Sequence, residues 1–330
     1  MATKSWNDIT SLSSLSLMFD TGLTDGKIYA NGNHQIGVVV SVTALDSDRK
    51  EIDLTPADVI NHAWLVDYAD GSDLSRDRQT QWNYTVTENR YHVGAASAAN
   101  ASQCVFFLMC AADYQENPKS ISVRFALPSG EIISTAKVGT QGFEDHIVGR
   151  ADPARRYTED DISVSREDTY NGGNCDHDNY YCKITDEKFH WVFVESIDDP
   201  EFASMPYDVD DIPRLQAYDA RTYWGVEANF QENSGYIAQL GLPGKMSMIS
   251  MQQSQRDFSV NQRSGQFTMA RLTTTGSSVG SLKDDPDSSW DLNYFNRNVT
   301  LYDQYGNTGK FYVAASDDGN TLSLIEGQTD

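Results

Sequence analysis

Basic residues, cysteine and long apolar runs are all in short supply in this chain, and each shortage excludes something. Lysine and arginine number 25 against 48 aspartates and glutamates, a net charge of −23 over 330 residues. The carboxylates are spread along the whole length, with clusters at Glu159-Asp160-Asp161, Asp198-Asp199, Asp208 to Asp211 and Asp284 to Asp287. That field repels a phosphate backbone or an anionic lipid surface, and no basic stripe offsets it, so nucleic acid is excluded as a partner. The longest apolar run, Cys104 to Ala112, is about half of what a membrane-spanning helix needs. Asp8 and many serines interrupt the first nineteen residues, so no secretory leader is expected there. These features predict a protein made in the cytoplasm that acts in a virion, in a particle or outside the cell after non-classical release. Only four cysteines occur. Cys104 and Cys110 share one face of one strand with Cα atoms about 20 Å apart, too far to pair with each other. Cys175 and Cys182 can pair only if Asp178-Asn179 is a hairpin tip; synthesis in a reducing compartment argues for free thiols.

What the chain has is aromatics, 17 Tyr, 13 Phe and 6 Trp, and alternation of period two. From Ile36 to Leu45, Ile36, Val38, Val40, Val42 and Ala44 form a wholly apolar face, and the Asp46 to Arg49 turn leads into Glu51 to Leu54. Thr55, Pro56 and Asp58 carry the cap, first-turn and capping-box chemistry of a short helix reaching about His62. Further strands follow at Ala63 to Tyr68, Gln81 to Thr87, Cys104 to Ala112, Ile121 to Leu127 and Glu131 to Val138. The second of these turns Trp82, Tyr84 and Val86 inward, and the third reads as a central strand. Seven or eight strands before residue 138 match an immunoglobulin-like β-sandwich. The expected class is all-β, two β-sandwich-like domains with few short helices. The expected division is an N-terminal arm at 1–24, the immunoglobulin-like sandwich at 25–138, a linker at 139–156 and a second β-rich domain at 157–330. In the arm, Leu12, Leu15 and Phe19 share a helical face, whereas Leu15, Leu17 and Phe19 share a strand face, so periodicity leaves its structure open.

The stretch GKIYANG-x-x-Q-x-x-VVVSVTALDSDRKEIDL, Gly26 to Leu54, resembles the opening of bacterial immunoglobulin-like domains of the invasin and intimin type. Those domains have a short strand ending in a Gly turn, an alternating strand and a D-x-x-x hairpin. The likeness spans roughly 30 of 330 residues, and Lys50-Glu51-Ile52 stands where Asn-Pro-Val commonly follows the hairpin. It implies a structural or adhesive module and carries over no functional residues.

Chemistry-bearing candidates are few. Gly276-Ser277-Ser278-Val279-Gly280 has nucleophile-elbow spacing at Ser278, but Thr273 to Thr275 precede it and Lys283 to Pro286 follow, which reads as a Gly/Ser loop. Around Cys175 and Cys182, Asp176, Asp178 and Asn179 supply oxygens that suit Ca2+, while zinc lacks a second Cys/His cluster. Asp285, Asp287 and Asp291 follow a calcium-loop spacing, with Trp290 where the sharp-turn Gly belongs and Asn296 where the bidentate Glu belongs; an EF-hand is excluded, and another kind of calcium loop is not. Gly241 to Met246 ends in Gly-Lys but lacks the rest of a phosphate loop. For assembly, Leu12, Leu15 and Phe19 of the arm, with Asn33 and His34 beside it, are the expected subunit contact.

The first functional expectation is a non-enzymatic structural or surface-recognition protein of a bacterial or phage extracellular assembly: a tail, injection particle or filament component. Its partners are protein subunits, in a homo-oligomer or particle, and a surface glycan or receptor; no cofactor is required unless Ca2+ sits at the aspartate sites. The alternative is a soluble β-rich toxin component, pore-forming or insecticidal, with amphipathic strands such as Arg271 to Gly280 as inserting hairpins. A hydrolase ranks third.

Overall fold

The computed structural model describes residues 5–77, 81–94, 101–112, 117–172, 175–196, 224–226, 232–240, 244–248, 256–260, 263–275, 297–315 and 321–327. They fall into two compact units: Met1–Arg155 with Tyr305–Asn307, and Arg156–Gln304 with Thr308–Asp330. Both are built from β-strands, and no described helix is long and apolar enough to cross a membrane.

The first unit holds β1 (Ser11–Phe19), β2 (Asp25–Ala30), β3 (Ile36–Leu45), β4 (Glu51–Ile52), helix α1 (Pro56–His62), β5 (Ala63–Asp67), β6 (Ser75–Arg76), β7 (Trp82–Thr85), β8 (Gln103–Cys110), β9 (Lys119–Ala126), β10 (Ile132–Ser134) and β11 (Ile147–Pro153). One sheet runs β1-β3-β8-β7-β6 with β4 beside β3. In the other, β9 carries β5 on one edge and β10 followed by β11 on the other, with β2 parallel to β11. Val38, Val40, Val42 and Ala44 of β3, Phe106 and Leu108 of β8, and Ile121, Val123 and Phe125 of β9 fill a single core between the sheets. Helix α1 begins as its chemistry requires. The Asp58 N–H donates to Thr55 Oγ1 (3.2 Å), the Thr55 N–H donates to Asp58 Oδ2 (2.9 Å), and Pro56 sits in the first turn.

The second unit holds β12 (Arg156–Tyr157), β13 (Ile162–Gly172), β14 (Cys175–Ile184), β15 (Trp191–Ser196), β16 (Trp224–Val226), β17 (Glu232–Leu240), β18 (Gly244–Met248), β19 (Arg256–Val260), β20 (Phe267–Thr275), β21 (Arg297–Asp303), β22 (Thr308–Ala315) and β23 (Leu322–Glu326). One sheet runs β13-β14-β20-β17-β16. The other runs β15-β21-β22, with β12 and β23 along the outer edge of β22, and β18-β19 form a separate ribbon. Tyr180, Cys182, Phe267 and Met269 of the first sheet meet Trp191, Val299, Leu301, Phe311 and Leu324 of the second in one core. Inside it the Tyr157 hydroxyl donates to the buried Asp303 Oδ2 at 2.7 Å, which satisfies a carboxylate that would otherwise be costly to bury.

Lettering the strands A to G in chain order makes the first unit β1, β3, β5, β7, β8, β9 and β11. Its sheets are then A-B-E-D and C-F-G, the immunoglobulin arrangement. Lettering β13, β14, β15, β17, β20, β21 and β22 in the same way produces the same two sheets, every one of those pairings antiparallel in both units. Each unit also lays a short strand parallel to its G strand, β2 in the first and β12 in the second.

Three expectations need correction. Residues 11–19 are no free arm: β1 is paired with β3 over its length, and Leu12, Leu15, Leu17 and Phe19 are buried in the unit's own core. A bulge between Leu12 and Ser14 explains the ambiguous spacing, because one extra residue flips the parity and brings Leu12 to the face that carries Leu15, Leu17 and Phe19. Within the expected linker, residues 147–153 are β11, with Ile147 and Ala151 inside the core and Gly149 against the Trp82 ring. Finally, Asp178-Asn179 is no hairpin tip. Both residues lie inside β14, and Cys175 and Cys182, seven positions apart on one continuous strand, are beyond disulfide reach. Cys104, Cys110 and Cys182 are buried and outside any disulfide.

Candidate functional site

A dense constellation of polar side chains gathers in the first unit where β2 hands over to β3. The connection Asn31 to Gln35 is too short to bring its own hydrogen-bond partners, so side-chain amides supply them. Asn31 Oδ1 accepts from the Asn33 N–H (2.9 Å) and the His34 N–H (2.8 Å), closing the turn. Asn31 Nδ2 donates outward to the Tyr305 carbonyl (2.9 Å) and Asn307 Oδ1 (3.0 Å), and Asn33 Nδ2 donates to the Gly306 carbonyl (3.1 Å). Asn307 Oδ1 also accepts from the Arg155 N–H at 3.0 Å. The turn so gripped requires its glycine. Gly306 has φ +74°, and a Cβ there would stand 2.4 Å from Asn33 Cβ.

Gln35 continues the network into the β7–β8 connection, donating from Nε2 to the Thr87 carbonyl (3.2 Å) and accepting the Asn89 N–H at Oε1 (2.7 Å). Asn89 in turn donates to the Asn33 carbonyl (2.7 Å). The same connection carries His92, whose Nε2 lies 2.7 Å from Asp20 Oδ2 and whose Nδ1 lies 2.7 Å from Glu88 Oε1. The imidazole and Asp20 are almost wholly enclosed, while Glu88 is half exposed. Gly94 permits this approach, since a Cβ there would fall within 2.1 Å of Asp20 Oδ2. The Phe107 ring closes the far side, edge-on at 5.1 Å.

His34 behaves differently. Its Nδ1 accepts the Tyr29 N–H at 2.9 Å, and its ring packs beside those of Tyr29 and Tyr305, centroids 5.8 and 4.9 Å away, in a triangle whose third side, between the two tyrosines, is 5.4 Å. Burial pulls its pKa from 6.5 down to about 4, and the charge of nearby His92 adds to the same effect. Two imidazoles in one network are thus held in contrasting settings, one facing two carboxylates and one accepting a backbone N–H beside two aromatic rings.

No family model matches the chain, and no curated protein matches it.

The expected sites fare as follows. Asn33 and His34 meet in this cluster, but they are occupied within the unit, His34 with 6% exposure, so they are not an open subunit contact. Leu12, Leu15 and Phe19 are core. In the second unit Asp178 is buried and ion-paired with Arg166 Nε at 2.9 Å, and Asn179 is buried beside it. Asp176 lies on the same strand opposite Asn171 and Thr273, its side chain outside the described residues. Asp285, Asp287, Asp291 and Ser278 also lie outside the described residues. Among the described residues no group of three or more His, Cys, Asp and Glu side chains is placed to hold a metal. A mixed cluster does form around Tyr181: its hydroxyl donates to Glu167 Oε2 (2.6 Å), and Arg263 reaches the same oxygen (3.1 Å) while lying 3.7 Å over the Tyr181 ring. Burial, then the Glu167 carboxylate, raises the Tyr181 pKa. Burial pushes the Cys104 thiol up to about 12 and the Cys182 thiol higher still, so both are poor nucleophiles.

The amide and His92 clusters went unread because no local spacing announces them. Asn31 and Asn307 are 276 positions apart, and Asp20 and His92 are 72 apart. The one available signal was Tyr305-Gly306-Asn307 as a tight turn, which shows a turn and not its partner.

Proposed function

We propose that the chain is a non-enzymatic structural or surface-recognition component of a bacterial or phage extracellular assembly, such as a tail, injection particle or filament. The observation that carries this reading is the repetition of one seven-strand order in both units. A sandwich of this kind supplies a rigid scaffold with loops at its ends, and placing two in one chain multiplies surface without adding a reaction centre. Strong net negative charge favours solubility and disfavours nucleic-acid partners. The resemblance of Gly26 to Leu54 to invasin- and intimin-type domains points the same way. The partners in this reading are further protein subunits, including copies of the chain, and a surface glycan or receptor.

Light scattering coupled to size-exclusion chromatography over a rising concentration series tests the assembly reading. A discrete oligomer or filament is expected. A protein that stays monomeric at the highest concentration and releases dye from liposomes would instead be a soluble β-rich toxin component. One feature favours that second reading. In the second unit β13, β14, β17 and β20 run nine to eleven residues each, with Thr273, Thr274 and Thr275 at the far end of β20.

A further inference from the structure

We propose that His34 is an acid-operated release for the Asn31 to Gln35 turn and for the Tyr305–Asn307 segment which that turn holds. In the closed arrangement Nδ1 is an acceptor, filled by the Tyr29 N–H at 2.9 Å. A proton added there turns the acceptor into a donor, sets two N–H groups against each other and puts a charge on a ring that is buried. The ring has to leave. Its backbone is the middle of the turn, because the His34 N–H and the Asn33 N–H converge on Asn31 Oδ1. Movement of His34 therefore disturbs Asn31 and Asn33, the residues whose amides bind the carbonyls of Tyr305 and Gly306. Tyr305 also packs its ring against the imidazole, tilted by 59° at 4.9 Å.

The groups facing the ring are Tyr29 from β2, Tyr305, and His92 from the β7–β8 connection, the last bonded to Asp20 and Glu88. His92 opposes a second positive charge on His34, so closure resists protonation until the turn lets go. A ring with a pKa of 6.5 when released and about 4 when held favours the open turn by about twentyfold more at pH 5 than at pH 7.

Hydrogen–deuterium exchange of the full chain between pH 7 and pH 5, with each rate divided by its intrinsic rate, tests this. Residues 29–35 and 303–309 are expected to lose protection by about twentyfold, while β8 keeps its own. His34→Gln leaves a neutral carbonyl acceptor for the Tyr29 N–H and takes no proton, so its two segments are expected to show no such pH dependence. Equal loss across β8, or the same acid profile in H34Q, would overturn the proposal. Should H34Q fail to fold, the nuclear magnetic resonance titration of His34 in the unsubstituted protein decides. A midpoint near 4 supports the release, and one near 6.5 overturns it.

Discussion

The two units reach one topology from opposite kinds of strand. In the first, B is Ile36–Leu45, a run whose inward residues Val38, Val40, Val42 and Ala44 are all apolar. In the second, B is Cys175–Ile184, whose described buried residues include Asp178 and Asn179 as well as Tyr180 and Cys182. Strand order therefore does not depend on an apolar alternation in every strand. A buried carboxylate is tolerated where a cation reaches it, as Arg166 reaches Asp178. The units differ also in what separates the strands. The first joins D to E through the connection that carries Asn89 and His92, whereas the second places the β18-β19 ribbon between its D and E strands.

Four experiments sharpen or break this comparison, in falling order of effect. Phe19→Ala in the first core and Phe311→Ala in the second, both at 0% exposure, are each expected to cost about 3–5 kcal/mol. Calorimetry should show each change lowering its own unit's transition; one transition lowered equally by both would show that the units do not melt separately. Next is acid. His34 is neutral when folded and has a folded pKa below its unfolded value, so its contribution is complete above pH 6.5 and is lost as pH falls towards 4. That loss is up to about 3 kcal/mol for the first unit. Urea unfolding at pH 7 and pH 5 should show it, and His34→Gln should flatten it. Asn307→Ala removes the acceptor shared by Asn31 Nδ2 and the Arg155 N–H and should cost the first unit about 1–3 kcal/mol, leaving the second unit's core unchanged. The smallest effect is Thr55→Ala, about 1 kcal/mol from loss of the α1 cap, read as a small shift in the first unit's urea midpoint.

How much could be read in advance follows from the same contrast. β3, β8, β9 and α1 were legible because their inward residues are apolar or their cap chemistry is local. β1 was blurred by one bulge residue, which shifts parity without any change in composition. β11 passed for a linker because the glycine it needs against Trp82 and the Pro153 at its end both look like loop residues. In β14, Asp178 and Asn179 are turn-forming types held inside a strand by tertiary partners that local propensity does not register. The amide cluster was invisible for a different reason: its halves lie at opposite ends of the chain.

That separation bears on the order in which the protein is made. Asn31 and Tyr305 are 274 residues apart, so the segment that closes the first unit leaves the ribosome only after strands β12 to β21 of the second unit have been made. Until residue 307 has emerged, Asn31 and Asn33 have no turn to bind and the aromatic wall contributed by Tyr305 is absent from His34. The first sandwich can collapse early around β3 and β8, but it is finished only after β12 to β21 have been made, and a chain stopped short of that point carries a first unit with its polar network still open.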